Sequence, residues 1–244
     1  MRKNKNNSLS IVLPILNEEK NLKKLIYLIH KNLKFKNKEI LCIDDNSIDN
    51  SVKEINKLKK KYKFIKLFIR KNKIRDLSKS CELGFLKSKF EHILVMDSDM
   101  QHHPKYIGKM LNKFFTDEID IVIAARKFHL NSSVLELNYI RYLSSLFLIK
   151  IFNFFSPQKS LDPMSGFFIF KKKIYSNYKK KMYLKGYKIL ADILLNTKKL
   201  KIDHILIDFY KRQHGKSKMN LKVVFNLINL YLRMIKNFFF NYKT

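Results

Sequence analysis

EILCIDDNSIDNSVKEINKLKKKY, residues 39–62, decides the fold. Glu39 to Ile43 is an apolar run of strand length, Asp44 to Asp49 is a polar, acidic turn, and Asp49 to Tyr62 carries helical spacing. The same unit recurs along the first half of the chain. Leu9 to Pro14 precedes a helical pattern from Glu18 to Leu33, Phe64 to Ile69 precedes Asp76 to Lys87, and His92 to Met96 precedes Pro104 to Phe115. A fifth strand pattern runs from Ile119 to Ala124. Runs so rich in Ile, Val, Leu and Phe fit strands buried on both faces, and Asn17, Asp49 and Asp76 stand where helix caps or first-turn acids belong. Strands alternating with helices predict an α/β fold, a doubly wound and mostly parallel sheet.

The second half is less regular. Leu135 to Phe155 is expected to be helical, Gly166 to Phe170 a short strand, Lys188 to Leu200 a helix and Ile202 to Tyr210 a further strand. No Pro, Gly or Ser-rich linker and no internal repeat divides the chain. Residues 1–244 are therefore expected to form one domain, with a core at about 8–220 and an amphipathic helix at 221–240. That last segment lines up Val223, Val224, Leu227, Leu230, Tyr231, Met234, Ile235 and Phe238 on one stripe. Phe225, Ile228, Leu232 and Phe239 widen the stripe, and Lys222, Arg233 and Lys236 keep the segment from being a span. It is expected to lie on an anionic membrane surface.

Composition excludes some classes. With 46% hydrophobic residues in 244, the chain can bury a large core, so disorder is excluded as the main state. Fifty-one basic against twenty acidic residues give a net charge of +31, which favours anionic partners. Lysines are spread through the whole chain, so that charge reads as a compositional bias as much as a patch. Cys42 and Cys81 are far apart and lack neighbours at metal-ligand spacing, which supports neither a disulfide framework nor a zinc site. No secretory signal and no apolar run of about 20 residues is read, so the expected location is cytoplasmic, peripheral at the membrane surface.

In open parallel sheets ligands bind beyond the carboxyl ends of the strands, and here those ends are acidic. Glu18 follows the first strand, Asp44, Asp45 and Asp49 the second, and Asp97 and Asp99 the fourth. Helix capping accounts for some of these, but six carboxylates in so basic a chain point to a metal and nucleotide site. Five glycines with no Gly-x-Gly-x-x-Gly, and no complete P-loop around Gly215-Lys216-Ser217, argue against a backbone phosphate cradle. A diphosphate can instead be held by a hard divalent cation on oxygen ligands, which Asp97-x-Asp99-x-Gln101 offers. Asp44-Asp45 could accept hydrogen bonds from base and ribose. His102 and His103 are adjacent and cannot share a helical face, so a metal role for them is disfavoured.

These residues resemble the inverting glycosyltransferases of family two, and within it the dolichyl- or polyprenyl-phosphate mannosyltransferase branch. The resemblance rests on Val12-Leu13-Pro14 with Asn17-Glu18, on Asp44 to Asp49, on Arg75 to Lys79 and on Val95 to His102. It is most discriminating at Asp162-Pro163-Met164-Ser165-Gly166-Phe167-Phe168, followed in order by Gly186 to Leu190 and by Arg212-x-x-Gly215-x-Ser217-Lys218. It implies a Rossmann-like GT-A type fold. It also implies that Pro14, Leu16, Glu18, Ile43 and Asp45 line the nucleotide pocket, with Asp97, Ser98 and Arg126 near the diphosphate. Asp99 and Gln101 would bind Mg²⁺ or Mn²⁺, and Arg212 and Lys218 would meet phosphates. Asp99, Asp162 and Arg212 are the expected catalytic set. Leu16 stands where an aromatic residue is frequent, and Asn46 where glycine is frequent.

The expected function is transfer of a hexosyl unit, mannosyl from GDP-mannose, to a polyprenyl or dolichyl phosphate with a divalent metal. The alternative within the class is a glucosyl or other sugar from a UDP-sugar. Expected partners are a nucleotide diphosphate sugar, a polyprenyl phosphate lipid and the membrane surface, with a membrane-subunit partner left open. The rival from another class is a basic nucleic-acid-binding protein, supported by the +31 charge. Nucleic acid is not expected, because the acids gathered at the strand ends would repel its phosphates.

Overall fold

The structure, a computed structural model, describes residues 8–33, 35–71, 73–127, 139–186, 188–215 and 221–241. A seven-stranded sheet runs through it in the order β3-β2-β1-β4-β6-β5-β7. The strands are β1 Ser8–Ile15, β2 Asn37–Asp44, β3 Ile65–Ile69, β4 His92–Val95, β5 Ile121–Arg126, β6 Phe168–Lys171 and β7 Ile202–Ile207. All neighbours pair in parallel except β6, which is antiparallel to both β4 and β5. The chain winds outward from β1 to β3, then crosses back to place β4 on the other side of β1, so the switch point lies between β1 and β4.

The inner strands are buried on both faces while the edge strands β3 and β7 are partly exposed, and successive residues divide between two cores. Ile11, Leu13, Leu94 and Val122 face one helical layer, whereas Val12, Val95, Ile121 and Ile123 face the other. The first layer holds α1 (Glu19–Asn32), α2 (Ser51–Lys61) and α4 (Ile107–Thr116). In α1 the buried Leu22, Leu25, Ile26 and Ile29 repeat at three and four residues, and each such side chain stabilises the fold by about 1.5–3 kcal/mol. The second layer holds α3 (Leu77–Lys87), α5 (Tyr139–Phe155), α6 (Lys172–Tyr178), α7 (Ile189–Asn196) and α8 (Leu221–Asn241). Within α8, Leu230, Tyr231 and Met234 are buried in this core, while Phe225, Ile228, Leu232, Phe239 and Phe240 are exposed. No described helix is long and apolar enough to cross a membrane.

The sequence expectations differ from this at particular places. Pro104–Tyr106 is a separate 3-10 turn ahead of α4. The expected strand at Gly166 to Phe170 begins at Phe168, β7 ends at Ile207, and α7 is shorter than expected. Residues 135–138 of the expected fifth helix lie outside the described residues, and α6 was not anticipated. Asp76 caps α3 by accepting from Lys79 N. Glu18 and Asn50, not Asn17 and Asp49, hold the cap positions of α1 and α2. Asp49 instead accepts from the N–H groups of both Ser51 and Glu19, serving the first turns of two helices. Cys42 and Cys81 are free, buried thiols, and burial raises both pKa values.

Helix α3 approaches β1 closely. A Cβ built on Gly84 would lie 2.4 Å from Val12 Cγ1, and a valine is stiff at χ1. Gly84→Ala is expected to cost about 1–3 kcal/mol despite the better helix propensity of alanine. The cost, read from the denaturant midpoint, should shrink in a Val12→Ala background.

Candidate active site

Three strand ends turn through left-handed residues, Asn17 (φ 55°), Asn46 (φ 61°) and Met100 (φ 65°). Asparagine tolerates this region, which accounts for Asn46 standing where glycine is frequent. Met100 does not favour it, and its conformation is held by the loop around it: Gln101 N donates to Asp99 Oδ1 at 3.1 Å, and the Met100 side chain is buried. Ser98 Oγ donates to Pro14 O at 2.9 Å, tying the ends of β1 and β4 together at the switch point.

A cavity of about 390 Å³ opens there. Of the residues singled out from sequence, it gathers Pro14, Glu18, Asp97, Ser98, Asp99, Gln101, Arg126 and Arg212. Leu16, Ile43, Asp45 and Asp162 do not line it, and Lys218 lies outside the described residues. Ile43 is a core side chain, and Leu16 is half-buried. Asp45 forms an ion pair with Arg70 and accepts from Asp76 N at 2.6 Å. Burial raises the Asp45 pKa more than Arg70 lowers it. Arg70 was missed in the sequence, where its only signal is that it is the first cation after the third strand.

Across the cavity, Arg212 Nη2 lies 2.8 Å from Asp99 Oδ2 and 3.3 Å from Gln101 Oε1. Two oxygens from one strand-end loop thus converge on a single positive nitrogen. Their hardness and convergence fit the divalent cation that the sequence predicts, with the guanidinium standing where positive charge is wanted. No described cluster of three or more His, Cys, Asp or Glu side chains forms a metal cage. A cation held here would therefore need further oxygens from a substrate, as is usual for Mg²⁺.

Asp97 faces the segment before β6. A Cβ on Gly166 would lie 2.0 Å from Asp97 Oδ2, so only glycine admits this carboxylate. Behind it, His102 is buried with both ring nitrogens lacking a hydrogen-bond partner, Nδ1 being 3.5 Å from Asp97 Oδ2. The ring packs on Phe167 and Phe209. Burial lowers its pKa to about 4, so the imidazole is neutral at pH 7.

Behind Arg126, outside the cavity's lining, lies its ion-pair partner Asp162. Asp162 accepts from Arg126 Nε at 2.7 Å, from Arg126 Nη2 at 2.9 Å and from the Arg126 backbone N–H at 3.2 Å. The Asp162 side chain is 0% exposed. Burial alone would raise its pKa, but Arg126 outweighs burial and the net shift is downward. It is thus a fixed anion and not a group poised to take a proton. Lys188, quoted above only as part of a motif, also lines the cavity and donates to Met164 O at 3.4 Å. Burial, then Arg126, lowers its pKa. Inner faces of α5 and α8 complete the wall with Ser144, Ser145, Leu148, Asn226, Leu227 and Leu230.

A mostly parallel sheet with acidic strand ends beside the switch point is a fold of the GT-A type. The family model described as glycosyl transferase family 2 matches residues 10–179. The chain belongs to that family. It is similar to proteins named dolichol-phosphate mannosyltransferase. The one from Pyrococcus furiosus is 31% identical over 229 residues, covering 93% of this chain and 63% of the relative, so the chain spans less than two thirds of that protein's length. The one from Saccharomyces cerevisiae is 25% identical over 239 residues, covering 94% of this chain and 86% of the relative. Among solved structures, the chain resembles glucosyl-3-phosphoglycerate synthase from Mycobacterium tuberculosis in complex with Mn²⁺, UDP-glucose and phosphoglyceric acid. That likeness has a TM-score of 0.67 at 15% identity, covers 94% of this chain and 78% of the other, and bears on the fold alone.

The neutral His102 makes stability depend on pH. Its folded pKa, about 4, lies below the unfolded value of 6.5, so the unfolded chain binds the extra proton between those values and stability rises with pH across that window. Replacing the imidazole by an aromatic ring without nitrogens, His102→Phe, should remove this dependence. The stability difference between wild type and variant, from denaturant melts at pH 7 and pH 4, should change by about 1–3 kcal/mol in favour of the variant at low pH.

Proposed function

We propose that this protein transfers a hexosyl unit, mannosyl from GDP-mannose, to a polyprenyl phosphate at a membrane surface, with inversion and with Mg²⁺ or Mn²⁺ as cofactor. The observation that carries the lipid acceptor is the cavity's wall. α5 and α8 line it with their inner faces and expose Leu143, Phe147, Phe225, Ile228 and Leu232 on their outer ones. An acceptor with a polar phosphate head and an apolar chain fits that division. The names of the similar archaeal and fungal relatives support the same acceptor and sugar.

A polyprenyl phosphate is anionic at neutral pH, with a second pKa of about 6 by analogy with other phosphate monoesters. Its oxygen attacks the anomeric carbon, the bond from that carbon to the nucleotide diphosphate breaks, and no proton has to be removed. That suits a site in which the nearby buried carboxylate, Asp162, lies behind the lining and is locked against Arg126. Arg126 and Lys188 supply positive charge deep in the cavity, and Arg212 supplies it from the opposite wall. Asp99 and Gln101 would hold the cation, whose chemistry when bound is to neutralise the departing diphosphate. Asp97, held beside Gly166, orients the donor.

The decisive experiment offers the purified protein labelled GDP-mannose, UDP-glucose and other nucleotide sugars with polyprenyl phosphate and identifies the lipid product. Mannosyl lipid from GDP-mannose is expected. Product only from UDP-glucose would overturn the sugar, and no lipid product from any donor would overturn the acceptor.

Arg212→Ala and Asp99→Ala should each lose far more transfer activity than Lys59→Ala. Gly166→Ala should lose on the order of 100-fold in kcat/KM by displacing Asp97. Activity below neutrality should follow the acceptor's titration. Asp162→Asn should lower the rate without moving that pH profile; a moved profile would make Asp162 a general base.

A further inference from the structure

A second cavity, of about 810 Å³, lies between the carboxyl-terminal end of α5, the end of α7 and the later turns of α8. It shares only Leu230 with the lining of the first. Nothing in the transfer reaction uses it. Phe154, Phe155 and Phe238 form one wall, and ring contacts of 4.8 Å between Phe154 and Phe155 and 5.2 Å between Phe155 and Phe238 hold that wall together. The other wall carries Lys159, Lys181, Lys198 and Arg233.

The charges here are unbalanced. The lining holds four cations and a single carboxylate, Asp192. That carboxylate is already occupied from within the protein. It accepts from Tyr183 N at 3.0 Å, from Leu184 N at 2.7 Å and from Asn196 Nδ2 at 2.9 Å. Among the described residues no carboxylate lies within ion-pair distance of Lys159, Lys181, Lys198 or Arg233. Arg233 is steadied by the Tyr183 ring, 4.8 Å from its guanidinium carbon, and its charge also acts on Asp192, while Lys159 donates to Asn153 O and, at 3.3 Å, to Ser156 O. All four cations are exposed, and together they leave the pocket with a net positive charge that favours an anion. Beside it the outer surfaces of α5 and α8 expose Phe154, Phe239 and Phe240.

We propose that this cavity binds the phosphate headgroup of an anionic membrane phospholipid, with the acyl chains lying along the exposed phenylalanines. A cationic pocket beside an apolar ridge matches an amphiphile whose charge and hydrocarbon are adjacent. A soluble phosphate would match only the cationic half. The site rests on the reading of α8 as a membrane-surface helix and adds to it a stereochemically defined contact apart from the acceptor cavity. It fixes the distance and orientation of the first cavity relative to the bilayer, where the acceptor lipid is found.

The test uses the full-length chain, vesicles of phosphatidylcholine with and without 30% phosphatidylglycerol, and a soluble short-chain phosphatidylglycerol below its micelle concentration. Lys181→Glu/Lys198→Glu is compared with Lys60→Glu/Lys109→Glu, an equal charge change on exposed lysines of the opposite helical layer. Circular dichroism confirms that both variants fold. Wild type should sediment with the anionic vesicles and bind the short-chain lipid, the pocket variant should lose more than tenfold in both, and the control should lose less than threefold. Equal losses in the two variants would overturn the pocket while leaving membrane binding standing. Failure of wild type to sediment would overturn the membrane reading itself. Inorganic phosphate competing as well as the short-chain lipid would overturn the lipid as ligand.

Discussion

Asp162 has no contact with solvent, and a carboxylate so placed has to be met by a cation. Arg126 meets it three times, twice through the guanidinium and once through its own backbone. Because Arg126 ends β5 and Asp162 lies ahead of β6, this pair ties the segment that re-enters the sheet to the end of β5. Breaking such a pair typically costs about 3–5 kcal/mol. The position of Gly166 against Asp97, and so the shape of the cavity, depends on that segment staying where Arg126 holds it.

The acidic strand ends are built on a different principle. Asp44, Asp49 and Asp76 are committed to backbone N–H groups of turns and helix starts, so they hold the strand-end loops in shape. Asp97 and Asp99 remain at the cavity, with Asp99 neutralised by Arg212, which comes from a segment more than a hundred residues away. Positive charge from the later part of the chain thus closes over negative charge from its middle, and the two halves of the molecule meet at the cavity.

Much of this was legible in the sequence. β1, β2, β4 and β5 carry apolar runs buried on both faces, and α1 and α4 carry three- and four-residue periodicity, so the sequence pattern reports their burial. The strand-end acids were legible because a parallel sheet fixes where its ligand edge lies. Other features were not. α6 is short and rich in lysine and tyrosine, so it lacks a clear apolar stripe. The direction of β6 is invisible to a pattern of period two, which reads the same both ways. The partners Asp45 with Arg70 and Asp99 with Arg212 are set by tertiary approach, and spacing along the chain carries no record of them.

The reversed direction of β6 has a structural consequence. Phe168, its first residue, pairs with Val95 and Ile123 near the carboxyl ends of β4 and β5. A loop that enters a strand is thereby delivered to an edge that otherwise receives only loops leaving strands. What this segment places at that edge is therefore set by the strand that follows it: a slip of Phe168 by one position against Val95 would carry Gly166 away from Asp97 and turn its neighbours to the opposite face.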